Sequence, residues 1–409
     1  MRGMTTNLTI GERVAWYRRR RGISQEVLAG MVGRTVDWVS KAENNRLELD
    51  RLSVIKSLAD ALDVTLGDLL AEPTLMDWTP DSGTRTVPAL RSALMNYRQL
   101  TPLLGVPTEG EPTPLGELRT NVVEVWDAYQ DSRFGFATHR LPLLLTDALI
   151  AAQSYEGQER ETAHDLTALT YQGAAMVLTK LGETDLAWIA ADRGLNAAQQ
   201  TSNAVVTGSL FRSVAHCLLS NGRFEAAVQL VSDAADYLRL QLDRIDVSPG
   251  FLSVYGTLFL TGAMAAARAE DRAATREFLA EADRVAQQLG DDANHMWTAF
   301  GPTNVAIHRV ATAAELGDMQ IAVDLGPEID TSGLPTERRT RHSIEVARAL
   351  SASNRADEAL TMLLEAESWA PEQVRSHYLA REVVLTWVRN QRGRPSRSLA
   401  DLAQRLHVV

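Results

Sequence analysis

Cysteine is nearly absent: Cys217 is the single one in 409 residues. That excludes an internal disulfide and any cysteine-rich zinc site. Its neighbours Val214, Ala215, Leu218 and Leu219 mark it as a buried, inert thiol. Aromatic residues are also few, at 6%. No apolar run of about 18 residues stands out, so no transmembrane helix and no membrane partner is expected. The first residues lack a charged–apolar–small signal pattern, which points to the cytoplasm. HExxH, GxSxG, Walker and GxGxxG motifs are all missing, and the eight histidines are scattered. An enzyme is therefore not expected, nor a cofactor or bound metal.

What remains is an Ala/Leu-rich chain, 45% hydrophobic, long enough for two or more domains. Its net charge of −11 is unevenly spread. Residues 1–46 hold nine Arg/Lys and four acids, a net +5, which leaves −16 for the rest. A basic head on an acidic body suits phosphate contact by the head alone.

The head is organised around Ser24–Arg46. Ser24 is an N-cap, and Val27, Leu28, Met31 and Val32 follow at helical spacing. Gly33 ends that helix in a left-handed turn, and Thr35 caps a second helix whose buried side is Val39 and Ala42. Thr35, Val36, Asp37, Trp38 and Lys41 then face outward near the N-terminal half, the half a helix-turn-helix inserts into a major groove. Gln25, Leu28, Ala29, Gly33, Ser40, Glu43 and Asn44–Asn45 resemble the helix-turn-helix of Xre/Cro-like repressors. Arg34 departs from that pattern, standing where the family has an apolar residue, and Asn45 replaces a glycine. The flanks complete the likeness. Thr9 caps a helix from Ile10 to about Arg21, with Val14 and Tyr17 inward and Arg18–Arg21 either reaching phosphates or complementing the helix dipole. Asp50 opens another helix striped by Leu52, Ile55, Leu58, Ala59 and Leu62, and Thr65 caps Leu66–Leu70.

The expected organisation is a five-helix, lambda-repressor-like head over residues 1–72. A linker over 73–117 follows, with one helix at 89–104 whose inward side is Leu90, Leu94 and Tyr97. A helical-repeat body spans 118–409, and the fold class is all-α. Gly182, Gly222, Gly317 and Asn354 each precede an alanine (Ala187, Ala227, Ala322, Ala359) by the same five positions, and a degenerate copy lies at Ala269–Ala282. The spacing wanders over roughly 37–49 residues, longer than a regular tetratricopeptide repeat. The body is similar to a divergent tetratricopeptide-like α-solenoid, with an irregular all-α bundle as the alternative. Residues 115–130, 299–318, 334–350 and 366–375 extend the resemblance to actinobacterial Xre-family regulators. The architecture is also similar to the peptide-sensing regulators of Gram-positive quorum signalling.

The candidate DNA-binding residues are Ser24, Gln25, Arg34, Thr35, Val36, Trp38, Lys41 and Asn44. Ser24, Gln25 and Asn44 are assigned to phosphates and the others to bases. For an effector, Trp297, Gly301, Asn304 and His308 fall on one face if residues 295–308 are helical, with Gly301–Pro302 kinking the helix. Arg338, Arg339, Arg341 and His342 add cations, and Arg212 and His216 lie on an earlier helix. The resemblance implies a backbone clamp by Asn304. The bland alternative has Trp297 and Phe300 as core and Asn304 and His308 as inter-helix hydrogen bonders. The expected function is a transcriptional regulator, homodimeric on a near-palindromic double-stranded operator, sensing a peptide or small molecule. The alternatives are an interaction scaffold or an antitoxin-type protein.

Overall fold

The structure, a computed structural model, describes residues 8–70, 87–95, 110–240, 247–390 and 394–408. Among these residues there is no strand, only an isolated bridge between Ala293 and Phe300. The head consists of α1 (Ile10–Arg20), α2 (Gln25–Met31), α3 (Val36–Glu43), α4 (Leu52–Leu62) and α5 (Leu66–Leu70). Hydroxyl caps start most of them. Thr9 and Glu12 form a reciprocal capping box, Ser24 accepts from Val27 N, Thr35 from Trp38 N, and Thr65 from Asp68 N. Asp50 does not open α4; that helix starts after Arg51, without a side-chain cap.

After the head comes a short helix, α6 (Val87–Leu94), whose Leu90 and Leu94 are fully buried in the body's first core cluster. It begins two residues before the expected start. Its expected continuation, with Tyr97, lies outside the described residues. The body then stacks helical hairpins: α7 (Leu115–Gln130) with α8 (Phe134–Ser154), α9 (Gly157–Lys180) with α10 (Thr184–Ala198), and α11 (Ala204–Ser220) with α12 (Phe224–Arg239). Next come α13 (Pro249–Arg268) with α14 (Arg272–Leu289), α15 (Pro302–Glu315) with α16 (Met319–Leu325), and α17 (Thr336–Ala352) with α18 (Ala356–Trp369). The chain closes with α19 (Pro371–Ser376), α20 (Tyr378–Asn390) and α21 (Arg397–Arg405). Although no apolar run was expected, α13 is long and apolar enough to cross a bilayer; 83% of that stretch is buried among its neighbours, as in a core helix.

One turn is reused at every hairpin. Gly182, Gly222 and Gly317 have φ of 75°, 69° and 86°, and Asn354 has 60°. In each case the next amide reaches back five residues, as Glu183 N does to Leu178 O at 2.9 Å, which satisfies the carbonyls of the ending helix. Ser132 and Glu270 take the same conformation with the same bonds, so the pattern also covers α7–α8 and α13–α14. The alanine five positions on is fully buried in Ala187, Ala227, Ala322 and Ala359, and Ala137 extends the rule. A methyl there lets the second helix lie close against the first.

The stack curls until its later hairpins touch the first. α17 packs against α7, and α19 against α8. Ser132 Oγ donates to Gln373 Oε1 at 2.6 Å, Gly135 N to Glu372 Oε2 at 2.8 Å, and Lys180 pairs with Glu337. Where the α14–α15 connection crosses the ring it is braced twice: Trp297 stacks on Trp126 at 5.2 Å, and Asn294 and Gln130 exchange amide hydrogen bonds at 2.8 and 2.9 Å. Gly256 on α13 sits under the buried Phe300 ring, and a Cβ there would run into it. Gly256→Ala is therefore expected to lower stability by about 1–3 kcal/mol, seen as a lower thermal midpoint. An unchanged midpoint would mean that the contact of α13 with Phe300 is looser than described.

Candidate functional site

Two features stand out: an outward face on the head and a cavity at the centre of the ring. On the head, Glu43 is buried and holds three donors. Arg18 meets it through Nε and, at 2.8 Å, through Nη2, and Gln25 Nε2 donates at 2.7 Å. Gln25 is thus engaged inside the head rather than free to meet a phosphate. Arg18 is likewise internal, and Arg21 donates to Ala61 O, so of the four-arginine run only Arg19 and Arg20 are exposed without a backbone tie, Arg20 lying over Trp16 at 5.1 Å.

The rest of the candidate face is open. Arg34, Thr35, Val36 and Lys41 are exposed, Arg34 lies over the half-buried Trp38 ring at 5.5 Å, and Lys41 pairs with Asp37 at 2.7 Å. Such an exposed i,i+4 pair is worth little, so Lys41 is released at low cost. Ser24 and Asn44 are exposed at the helix ends, Asn44 Nδ2 donating to Ser40 O at 2.7 Å. Val27 and Met31, placed inward by their spacing, are instead 49% and 53% exposed, as is Val36 at 44%. On so short a helix as α2, Leu28 and Ala29 suffice to fill the contact with the core.

The opposite side of the head is docked on the body. Ile10 N donates to Glu382 Oε1 at 2.9 Å, Arg13 approaches the same carboxyl at 3.6 Å, and Arg389 pairs with Glu12 at 2.7 Å. The fully buried Arg348 donates to Asp50 O, and Ser53 Oγ to Glu270 Oε1 at 2.9 Å. Leu218, Leu219, Phe224, Ala227 and Ala265 join the head's own hydrophobic cluster. The seam uses α1, the residues before α4, α4 and α5, and leaves α2–α3 outward.

Behind the seam lies a cavity of ≈ 220 Å³. The head contributes Leu52, Leu66 and Leu70, and the body Met264, Ile307, Tyr129 and Tyr378. Its charged lining is Lys180, Arg268, Arg338 and Arg341 against Glu337 and Glu345. Burial and the neighbouring Arg338 push His308 down to about 3, and burial with nearby cations also holds His216 and His377 well below the usual imidazole range. Burial alone would raise Glu337, but Lys180 and Arg338 outweigh it and bring it to about 2.

Of the expected effector residues, His308, Arg338, Arg341, His342 and His216 line this cavity. Trp297, Asn304, Arg339 and Arg212 do not line it. Residues 295–308 are not one helix: His295–Trp297 is a 3₁₀ turn, Gly301 precedes α15, and Pro302 starts it. Trp297 is occupied with Trp126, and its Nε1 donates to Asp127 at 3.3 Å. Asn304 is fully buried and donates to Ala299 O at 2.8 Å, holding the loop. Arg339 stacks on Trp369 at 4.2 Å, and Arg212 is buried beside the Tyr129 region. The head leucines, Lys180 and Tyr378 were missed because only the curl of the stack brings them together.

Glu382 gives the seam a pH dependence. Burial raises it to about 7, against the pull of Arg13 and the Ile10 amide; Glu12 and Glu48 add to the rise. Burial also raises Glu48 and Asp50. A carboxyl raised in the docked state favours docking while protonated, so its contribution is present below about 4.5 and is lost as pH rises through about 7. Between pH 5 and 8 the wild type is expected to lose up to about 3 kcal/mol that Glu382→Gln retains, measured as urea midpoints. Parallel pH profiles for the two proteins would show that Glu382 ionises freely in the docked chain.

Comparison with known proteins gives little across the whole chain. No curated protein sequence matches it. Among solved structures, the Bacillus thuringiensis PlcR crystal structure, in complex with the peptide PapR7 and DNA, is similar at 13% identity over 88% of this chain and 98% of that one. Its TM-score of 0.31 is too low to carry structural detail across. The N-terminal part is clearer: residues 9–72 match the family model described as a helix-turn-helix domain, and this part of the chain, α1 to α5, is a helix-turn-helix domain.

Proposed function

We propose that the chain is a cytoplasmic, sequence-specific transcriptional regulator whose helical-repeat body responds to an effector. The observation that carries this reading is the orientation of the head. Its docked side faces the body, while the N-terminal half of α3 stays open to a major groove. Arg34, Thr35, Val36 and Lys41 are the base-facing set. Ser24 and Asn44 flank it at backbone reach, and Arg19 and Arg20 add positive charge. Val27, Met31 and Val36 offer apolar contact, which in a major groove reads thymine methyls. Trp38 supports Arg34 by stacking and so belongs to the set indirectly.

The regulator acts as a homodimer. Two heads spaced by one helical turn read a near-palindromic site, and the affinities of the two half-sites reinforce each other. The acidic remainder of the chain limits indiscriminate attraction to DNA.

Fluorescence anisotropy against the promoter region of the protein's own gene tests this reading. Clear preference over random duplex is expected, with affinity falling steeply with salt. Lys41→Ala should weaken operator binding by about tenfold and narrow the preference over random duplex. Equal binding to random duplex, with no effect of Lys41→Ala, would remove the regulator reading.

A further inference from the structure

The central cavity has a chemistry of its own. Lys180 is paired with Glu337, Arg341 with Glu345 at 2.8 Å, and Arg268 with Glu315 at 3.4 Å. Arg338 is the most loosely held of the four: its carboxylate, Glu337, is already taken by Lys180 and lies 3.9 Å from Nε, and that Nε is buried without a hydrogen bond. The Tyr378 hydroxyl on the same cavity is likewise buried and unpartnered. Two further lining atoms without a hydrogen bond, the Glu345 oxygens, are ion-paired with Arg341 and Arg348 at 2.8 and 3.0 Å. A buried polar atom without a partner is costly, so the Arg338 Nε and the Tyr378 hydroxyl are left to meet a group that accepts hydrogen bonds. Positive charge on the lining exceeds negative, four groups against two. Burial is the main cause of the lowered histidines, and the nearby cations lower them further.

The remaining wall is apolar, and three of its leucines come from the head. We infer that the cavity binds a small anionic amphiphile of on the order of ten non-hydrogen atoms, its carboxylate or phosphate on Arg338 and Tyr378 and its apolar part against Leu52, Leu66 and Leu70. A cavity of ≈ 220 Å³ suits such a ligand. The inference deepens the regulator reading by naming the effector class. Because the head supplies part of the wall, a bound ligand stabilises the docked head in proportion to its occupancy.

The test uses the full chain and three probes of matched size: 3-phenylpropionate, phenyl phosphate and the neutral 3-phenylpropanamide. Inorganic phosphate and an acetylated, amidated heptapeptide of Ala and Ser serve as further arms. At ~5 mM, one or both aromatic acids should raise the thermal midpoint by about 5 °C, and the amide, inorganic phosphate and heptapeptide should not. Whichever aromatic acid acts identifies the anionic group. Calorimetric titration should show at least about tenfold weaker binding to Arg338→Gln. If that variant does not fold, Ala311→Leu fills the same cavity without touching an ion pair, and it should block binding. The inference fails if the amide or the heptapeptide matches the acids, if inorganic phosphate alone suffices, if neither acid acts, or if the folded variants bind normally. Loss of this response with intact operator binding would leave the regulator reading standing. Ligand binding without operator preference would do the reverse.

Discussion

Arg348 is the residue on which the arrangement turns. Its guanidinium is only 1% exposed, and a buried charge is tolerated only when it is surrounded by compensating groups. It meets Glu345 at 3.0 Å on its own helix, Glu315 at 4.0 Å on α15, and the carbonyl of Asp50 in the head. One side chain thus joins two hairpins of the body to the segment that leads into α4. Paired as it is, it contributes specificity of arrangement more than net stability. Removing it would take one of two cations from each buried carboxylate, leaving Glu345 to Arg341 at 2.8 Å and Glu315 to Arg268 at 3.4 Å.

From that anchor follows a division of labour on the head. The surfaces of α1, α4 and α5 are used up by the seam, and α4 and α5 also close the cavity. The surfaces of α2 and α3 are left free. An occupant of the cavity would therefore bear on α4 and α5 without touching the outward face of α2 and α3. Glu382, held near neutral pH by its burial, makes the same seam sensitive to protons.

Much of this was legible wherever the physics is local. Thr9, Ser24, Thr35 and Thr65 mark helix starts because a hydroxyl meets an orphan amide three residues on, and each does so here. Gly182, Gly222, Gly317 and Asn354 mark hairpins because they accept positive φ readily. Ser132 and Glu270 hold the same turn without that compositional cue, so their hairpins were faint in the residue pattern. Non-local pairings were not legible. Nothing near Trp297 announces Trp126, 171 positions earlier in the chain, and a helical reading of 295–308 made a cross-brace look like a binding wall. The true cavity draws on residues from Leu52 to Tyr378, and only His216, His308, Arg338, Arg341 and His342 had been singled out.

The docked head is the claim from which the rest follows, and hydrogen–deuterium exchange on the full chain tests it most directly. Residues 52–70 should exchange slowly in the wild type and markedly faster in Arg348→Met, while residues 24–44 exchange alike in both. Identical exchange over 52–70 in the two proteins would contradict a head held by that guanidinium.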